Sequence, residues 1–466
     1  MPRWAGIVAV AAGLAFTAAG PLSGGAAPSQ LPSVPTFNRH VAPILFANCA
    51  ACHRADGIAP MSLLTYGEAR PWAQAIKART RERAMPPWFA DPQFGQFKNS
   101  RALTQAQIDT LAAWADGGAP QGDGSPPSPP RMPQTAWQMN RAPDLVLDLP
   151  FGEFQLPPQG EVPTFTVWMK LPLRRDEWVQ AIEIRPSVRG AVHHSSISLA
   201  PGLPPGTKLG RGTVFDNGPV LDGVPLFGDG RPFRTSSAEA FGTPVMFYVP
   251  GGGLLQFENG LAKLFRRDDW IAWGLHLISP GRPEKVRVQI GLWYSRGEPH
   301  HEVRTWTVNE TLFINGVELK ADARGARVIP DIPAGAANWA MTGTLKLDED
   351  ITVHSLWPHM HYRGKDMTFI VTEPNGRQTT ILSVPKYNPH WQITYELQRP
   401  LRVRRGSLIT ASGHFDNSAA NPHNPDPSAT VRFGAQGNEE MYIPFLEVTV
   451  DREDLRVERQ QQFIAQ

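Results

Sequence analysis

A chain of 466 residues has room for two to four domains of ordinary size, and its 41% hydrophobic and 19% charged residues exclude a wholly disordered protein. With 45 basic against 43 acidic side chains the formal charge is only +2, and no basic run carries interleaved aromatics, so no nucleic acid is expected as a partner. The 46 prolines, 42 glycines and 14 tryptophans, with many Val, Thr and Phe residues, favour a β-rich, loop-rich body over a helical one.

The first element, residues 1–27, reads as an export signal. Arg3 gives a basic start, Ala5 to Ala19 is almost wholly apolar or small, and Gly20 to Ala27 offers cleavage sites. A membrane anchor is the alternative, but the apolar run is short for a bilayer span, which needs about 20 residues. A periplasmic or secreted location is expected, with no transmembrane span after signal removal.

Residues 33–121 read as a small all-α unit. Phe37 to Asn48 leads into a cysteine motif. Tyr66 to Arg83 has apolar residues at helical spacing, with Pro71 tolerable in a first turn. Thr104 is expected to N-cap a helix that ends at Gly117 and Gly118. Residues 122–142, rich in Pro, Ser and Gly, form an extended linker.

Beyond the linker the pattern changes to strands separated by Gly, Pro and Asn turns. Expected strands are Thr164 to Lys170, Trp178 to Ile184, Val192 to Leu199, Trp270 to Leu277 and Val286 to Trp293. A second block holds Leu345 to Leu347, Ile351 to Trp357, Met367 to Thr372, Trp391 to Glu396 and Ser407 to Phe415. The fold class is therefore multidomain: a small α-helical unit, then two antiparallel β-sandwiches of jelly-roll type over 143–330 and 335–455.

The only two cysteines, Cys49 and Cys52, belong to Cys49-Ala50-Ala51-Cys52-His53, the C-x-x-C-H signature of covalent c-type haem attachment. Two thiols add across the haem vinyl groups, and the adjacent imidazole of His53 then lies under the iron. A zinc site would need further paired thiols or histidines, and only His40 is near. A redox dithiol would need a βαβ setting. For the distal ligand, Met61 and Met85 are the choices. Met85 is preferred because it ends a helix and can approach the opposite haem face.

Several of the 13 histidines fall in the β region. His193 and His194 are adjacent in an apolar strand, His276 lies in another, His359 and His361 form H-x-H, and Met441 follows a turn. Strand alternation puts His359 and His361 on one face, a spacing that suits one metal. Adjacent histidines point to opposite faces, so His193 and His194 can share a metal only at a bulge or twisted edge. Imidazole with a thioether selects a soft ion and argues for copper.

This order of residues, with Asn388 to Tyr395 after H-x-H, resembles the copper type II, ascorbate-dependent monooxygenases, the peptidylglycine α-hydroxylating and dopamine β-monooxygenase family, over Pro143 to Val450. The haem unit, with MPPW and DGGAPQGD, looks like cytochrome c domains fused to such proteins in bacteria. The resemblance implies two coppers, an electron-supplying one on His193, His194 and His276 and an oxygen-activating one on His359, His361 and Met441, facing each other across a solvent-filled cleft. It implies a small-molecule substrate hydroxylated with O₂, and an electron donor such as ascorbate, a quinol-linked system or a cytochrome.

The chain departs from the family in three ways. No cysteine remains for disulfides. Trp357 stands where the peptide enzyme has an arginine for the substrate carboxylate, and Ile443 and Phe445 replace an Asn and a Tyr, so a C-terminal glycine substrate is not expected. The haem is an added redox centre, expected to feed electrons to the copper domains. A non-catalytic electron carrier or copper-binding redox protein on the same scaffold is the alternative, although a carrier needs only one copper. His300, His301, His354, His390, His414 and His423 are expected in loop, core or cleft-flanking roles, and Arg363 and Asp366 in turns and ion pairs.

Overall fold

The computed structural model describes residues 34–457, except 56, 130–136, 140, 160–161, 163–164, 203–241, 250–251, 280, 322–326 and 435–437. The expected export signal lies outside the described residues. No helix among them is long and apolar enough to cross a membrane.

The helical unit holds a π-helical turn Phe37–Val41, α1 (Ala42–Asn48), α2 (Tyr66–Ala69), α3 (Ala73–Arg81) and α4 (Gln105–Asp116). Thr104 caps α4 as expected: its hydroxyl accepts from the Gln107 amide while the Gln107 side chain accepts from the Thr104 amide. The stretch expected as one helix over Tyr66 to Arg83 is broken by a 3₁₀ turn, Arg70–Trp72, because Pro71 has no N–H to donate. Phe37, Leu45, Leu111 and Trp114 form the buried centre of this unit.

The first sandwich contains β1 (Leu145–Leu156), β2 (Phe165–Lys170), β3 (Glu177–Pro186), β4 (Val192–Ala200), β5 (Thr243–Tyr248), β6 (Leu254–Gln256), β7 (Leu261–Phe265), β8 (Trp270–Leu277), β9 (Glu284–Tyr294) and β10 (His301–Glu302). Among the described residues one sheet runs β1-β9-β3-β7-β10, with β6 also on β3, and the other runs β2-β8-β4-β5. All these pairings are antiparallel except β7 with β10. Ile182 and Ile290 from one sheet and Val167, Ile197 and Trp273 from the other fill the core between them.

The second sandwich contains β11 (Arg304–Thr307), β12 (Thr311–Ile314), β13 (Val317–Glu318), β14 (Trp339–Lys346), β15 (Ile351–Met360), β16 (Gly364–Thr372), β17 (Gln378–Val384), β18 (Tyr395–Val403), β19 (Leu408–Phe415) and β20 (Tyr442–Val450). Its sheets run β11-β20-β15-β18 and β13-β12-β14-β19-β16-β17. The chain thus changes sheet system at Val303, before the boundary near 330 that the sequence suggests, because β11 pairs with β20, β12 with β14 and β13 with β12. The strand expected from Trp391 starts only at Tyr395. Local bonds claim the preceding backbone: Trp391 N–H donates to the Asn388 carbonyl at 3.0 Å and Ile393 N–H to the Trp391 carbonyl at 2.9 Å.

The three units are joined by contacts far apart in sequence. Lys263 on β7 is buried, with Nζ 3.2 Å from the Glu447 carboxylate on β20 and donating to Thr305 Oγ1 at 2.8 Å. The segment between α3 and α4 adds itself to the second sandwich rather than to the first, which follows it in sequence. Lys98 N–H donates to the Glu396 carbonyl at 2.9 Å, Gln398 N–H donates to the Gln96 carbonyl at 2.7 Å, and Asn99 bonds Thr394 and Glu396 backbone groups. Trp88 and Phe97 pack on Tyr395 with ring centroids 4.9 and 5.4 Å away.

Phe97→Ala removes the ring that this dock is built on. It should cost about 2–3 kcal/mol, as for truncation of a largely buried aromatic. Urea denaturation measures the loss, and limited proteolysis should release the helical N-terminal fragment sooner; an unchanged digestion pattern would contradict the docked arrangement.

Candidate metal centres

Cys49 closes α1, its N–H donating to the Leu45 carbonyl at 2.8 Å, and the next turn brings His53 N–H onto the Cys49 carbonyl at 2.9 Å. Gly57 lets the following loop fold tightly, since a Cβ there would lie 2.0 Å from the Cys52 carbonyl. Both thiols are free of any disulfide, and burial, then Cys52, pushes the Cys49 thiol up to about 12. The Met61 carbonyl lies 3.2 Å from His53 Nδ1, and a carbonyl can only accept, so Nδ1 carries the proton and Nε2 is the basic nitrogen. Two thiols outside any disulfide and an imidazole with its tautomer set fit a covalently held haem.

That same bond bears on the distal ligand. It places the Met61 backbone on the His53 side, whereas Met85 follows α3 and is 38% exposed in the described structure. The Met61 side chain packs against the helical core near Cys49.

In β4 the pairing with β8 shifts register between Val192 and His194, a bulge at His193. The bulge cancels the alternation that would separate neighbours. The rings of His193 and His194 stack with centroids 4.1 Å apart, and His276 on β8 lies directly across from His194. One ring nitrogen from each of His193, His194 and His276 lies within 4.8 Å of the others, and the Nδ1 atoms of His193 and His276 are 3.4 Å apart. His194 Nε2 donates to the His390 carbonyl at 3.2 Å, which leaves Nδ1 as its basic nitrogen. Burial, then His276 and His390, pushes His193 down to about 3; burial, then His193 and His276, holds His194 well below its ordinary value. His193 and His194 are therefore held in the neutral form that ligates metal.

The second set stands on β15 and β20. Trp357 pairs with Phe445 and His359 with Ile443, so side chains of these pairs share one face. Continuing the register puts Met441 opposite His361, and Met441 packs against Trp357, Ile443 and Phe445. The His359 and His361 rings are 5.3 Å apart and nearly perpendicular. His361 Nδ1 donates to the Glu439 carbonyl at 3.1 Å, making Nε2 its basic atom. His359 is pushed to about 3 by burial first and His361 second, while Gln392 opposes. Gln392 thus biases the ring without a hydrogen bond of normal geometry, since His359 Nδ1 and Gln392 Oε1 are both buried without a partner among the described residues. Two imidazoles and a thioether facing one spot fit a soft ion.

Residues that sequence reasoning passed over hold this set in place. Glu440 is fully buried, and its carboxylate accepts from the backbone N–H groups of His361, at 2.8 Å, and Arg363. Burial pushes it up to about 8, against the pull of these backbone donors. Tyr387 Oη donates to the Met360 carbonyl at 2.7 Å and accepts from its N–H. The signal for Glu440 was its place beside Met441; nothing local marked Tyr387 or Gln392.

The remaining residues are sorted by geometry. His354 sits at a bulge in β15 and bonds Thr449 Oγ1 at 3.1 Å. His414 pairs with Asp366 at 2.7 Å. Arg363, expected in a turn, is buried and donates to the Asn438 carbonyl at 2.7 Å. His301 joins the short strand β10, and His300 faces Arg456. The His390 ring lies 5.2 Å from His193 and 5.1 Å from His423. Between the two sets stands Phe247 of β5, 5.8 Å from the His194 ring and 5.7 Å from His359. A ring thus occupies part of the place where the resemblance implies open solvent.

Two family models match the chain over the units that carry these residues. Residues 43–142 match the family model of cytochrome c, and residues 330–450 match that of the copper type II ascorbate-dependent monooxygenase, C-terminal domain. The chain therefore joins a cytochrome c unit, which implies haem c, to a copper type II ascorbate-dependent monooxygenase C-terminal domain, which implies copper. No curated protein matches it. Solved structures similar to it include an allantoicase, at 12% identity over 57% of this chain and 79% of that one with a TM-score of 0.15. Another is the major capsid protein P2 of bacteriophage PM2, at 9% identity over 65% and 99% with a TM-score of 0.20. At such scores neither likeness carries an argument.

Histidine titrates near 6.5 in an unfolded chain, whereas His193 and His359 titrate near 3 when folded. Between these values the unfolded chain binds more protons, so the copper-free protein has full stability from this source above pH 6.5 and loses it as the pH falls toward 3. Urea midpoints measured on copper-free protein across this window should fall with pH, and His193→Gln should flatten the slope. An equal slope in the variant would contradict the assignment.

Proposed function

We propose that the protein is a haem-linked copper monooxygenase that hydroxylates a C–H bond of a small organic substrate with O₂, electrons entering through one covalent c-type haem. The observation that carries this reading is the bulge at His193, which gathers three imidazoles beside a face that bears two more and a thioether. A carrier would need only one such centre.

In this reading Cys49 and Cys52 would hold the haem, and His53 and Met85 would ligate its iron. His193, His194 and His276 would hold one copper, and His359, His361 and Met441 would hold the other. When bound, the haem and the first copper supply single electrons and the second supplies oxygen activation. The chain's own residues do the rest. His390 fixes the His194 tautomer through its carbonyl, and Glu439 does the same for His361. Phe247, Trp357, Ile443 and Phe445 exclude water from the second set. In this reading residues 1–27 serve as an export signal and the protein works in the periplasm or outside the cell.

Metal analysis of the purified exported form should give two coppers per haem, and O₂ uptake should require an oxidisable substrate. Haem without copper would overturn the copper reading. His53→Ala should abolish reduction of the cupric electron-paramagnetic signal by reduced electron donors, whereas unchanged reduction would sink the haem as inlet. Glu440→Gln replaces one acceptor oxygen with a donor facing a backbone N–H. It should weaken copper at the His359–His361–Met441 set about 10- to 100-fold in a chelator competition, with the three-histidine set unaffected.

A further inference from the structure

Where the three units meet, a cavity of about 110 Å³ is lined by Trp88 from the haem-bearing unit, Phe247 and Leu255 from the first sandwich, and Trp357, Gln392 and Phe445 from the second. We propose that this cavity takes a small uncharged molecule with one aromatic ring and a hydrogen-bond-accepting oxygen, and that the haem-bearing unit completes the site through Trp88. The inference rests on the oxygenase reading for the ligand's role as substrate, and names its class.

Size comes first. An apolar cavity of about 150 Å³ accepts benzene; this one, at about 110 Å³, is smaller and takes a single ring only if part of the ligand reaches outward. The walls suit a ring as well: Trp357 stacks on Phe445 with centroids 4.5 Å apart and meets Phe247 at 4.7 Å.

Charge comes second. Two carboxylates line the cavity, and both are already held. Lys98 lies 3.1 Å from Glu396; Lys263 lies 3.2 Å from Glu447, which also accepts from Ser355 Oγ at 2.9 Å. A cationic ligand would have to displace a lysine, and an anionic one would meet both carboxylates. Arg101 adds a positive group to the same wall, which makes an aromatic carboxylate the sharpest rival.

The polar handle comes third. Trp357 is 9% exposed, and its Nε1–H is buried without an acceptor among the described residues. Leaving such a donor unpaired costs free energy, which a ligand oxygen would return once the Trp357 ring turns its N–H toward the cavity it lines. Trp357 also stands in one row with His359, ring centroids 5.8 Å apart, so a ligand held there lies beside the proposed oxygen-activating set. Trp88 reaches this wall because its segment is built into the second sandwich through Phe97 and Tyr395.

The test is binding to the full haem-loaded chain before copper is added, followed by tryptophan fluorescence or calorimetry, with acetophenone, ethylbenzene and benzoate as probes. Acetophenone should bind about fivefold tighter than ethylbenzene, and tighter than benzoate. Trp357→Phe keeps a ring but removes the donor, so it should erase the advantage of acetophenone over ethylbenzene. Trp88→Ala should weaken both about tenfold; if that variant loses its fold by circular dichroism, Trp88→Phe should still weaken both severalfold. Tighter binding of benzoate, or an advantage of acetophenone that survives Trp357→Phe, overturns the ligand class. Unchanged affinity in a folded Trp88 variant overturns the part given to the haem-bearing unit. Because no copper is present, a failure here is separate from failure of the oxygenase reading, which copper stoichiometry and O₂ uptake decide.

Discussion

One hydrogen bond ties the architecture to the chemistry: His194 Nε2–H to the His390 carbonyl, from the first sandwich to the second. It fixes which nitrogen of His194 is basic, and it draws β4 and β5 toward the loop that follows β17. With that contact made, Phe247 is delivered between His194 and His359, and the two ligand sets become neighbours separated by a single ring. The buried Lys263–Glu447 pair works in the same direction at the other end of the interface. Such a pair adds little net stability, but breaking it strands a charge, so it selects one docking of the sandwiches over others.

Each ligand set is a small departure from regular strand geometry held by a regular frame. The pleat alone would send His193 and His194 apart; a single extra residue in β4 turns them onto one another. The opposite holds for His359 and His361, where the undisturbed pleat is what aligns them, and the irregularity of β15 is kept away at His354. The end of β15 needs an anchor because the chain leaves the sheet there. Glu440, one residue before Met441, supplies it by bonding the backbone on both sides of Tyr362. Ligand and anchor therefore travel together on one short segment.

The haem-bearing unit is more than an appendage on a linker. Its segment between α3 and α4 contributes backbone bonds to the edge of β18, and Ala90 enters the core of the second sandwich. Met85 and Trp88 lie three residues apart on this segment, so the side expected to face the haem and the side lining the shared cavity belong to one piece of chain. This gives the redox unit a fixed position relative to His359, where a flexible tether alone would leave an average one.

The sequence by itself determined what depends on local pattern. C-x-x-C-H declared the haem, the caps and periodicity declared the helices, and alternation with Gly, Pro and Asn turns declared the strands and the shared face of His359 and His361. It also required a bulge or a twisted edge if His193 and His194 were to act together, because a regular pleat of period two sends neighbours apart, and the structure shows which of the two it is. Only the tertiary structure decided that β11, β12 and β13 cross to the second sandwich, that Trp391 to Thr394 turns instead of pairing, and that the haem-bearing unit docks beyond its nearest neighbour in sequence. Gln392, Tyr387, Phe247 and Trp88 gained their roles the same way. Their neighbours in space are distant in the chain, and burial, tautomer and cavity are set by those neighbours rather than by the residues beside them in sequence.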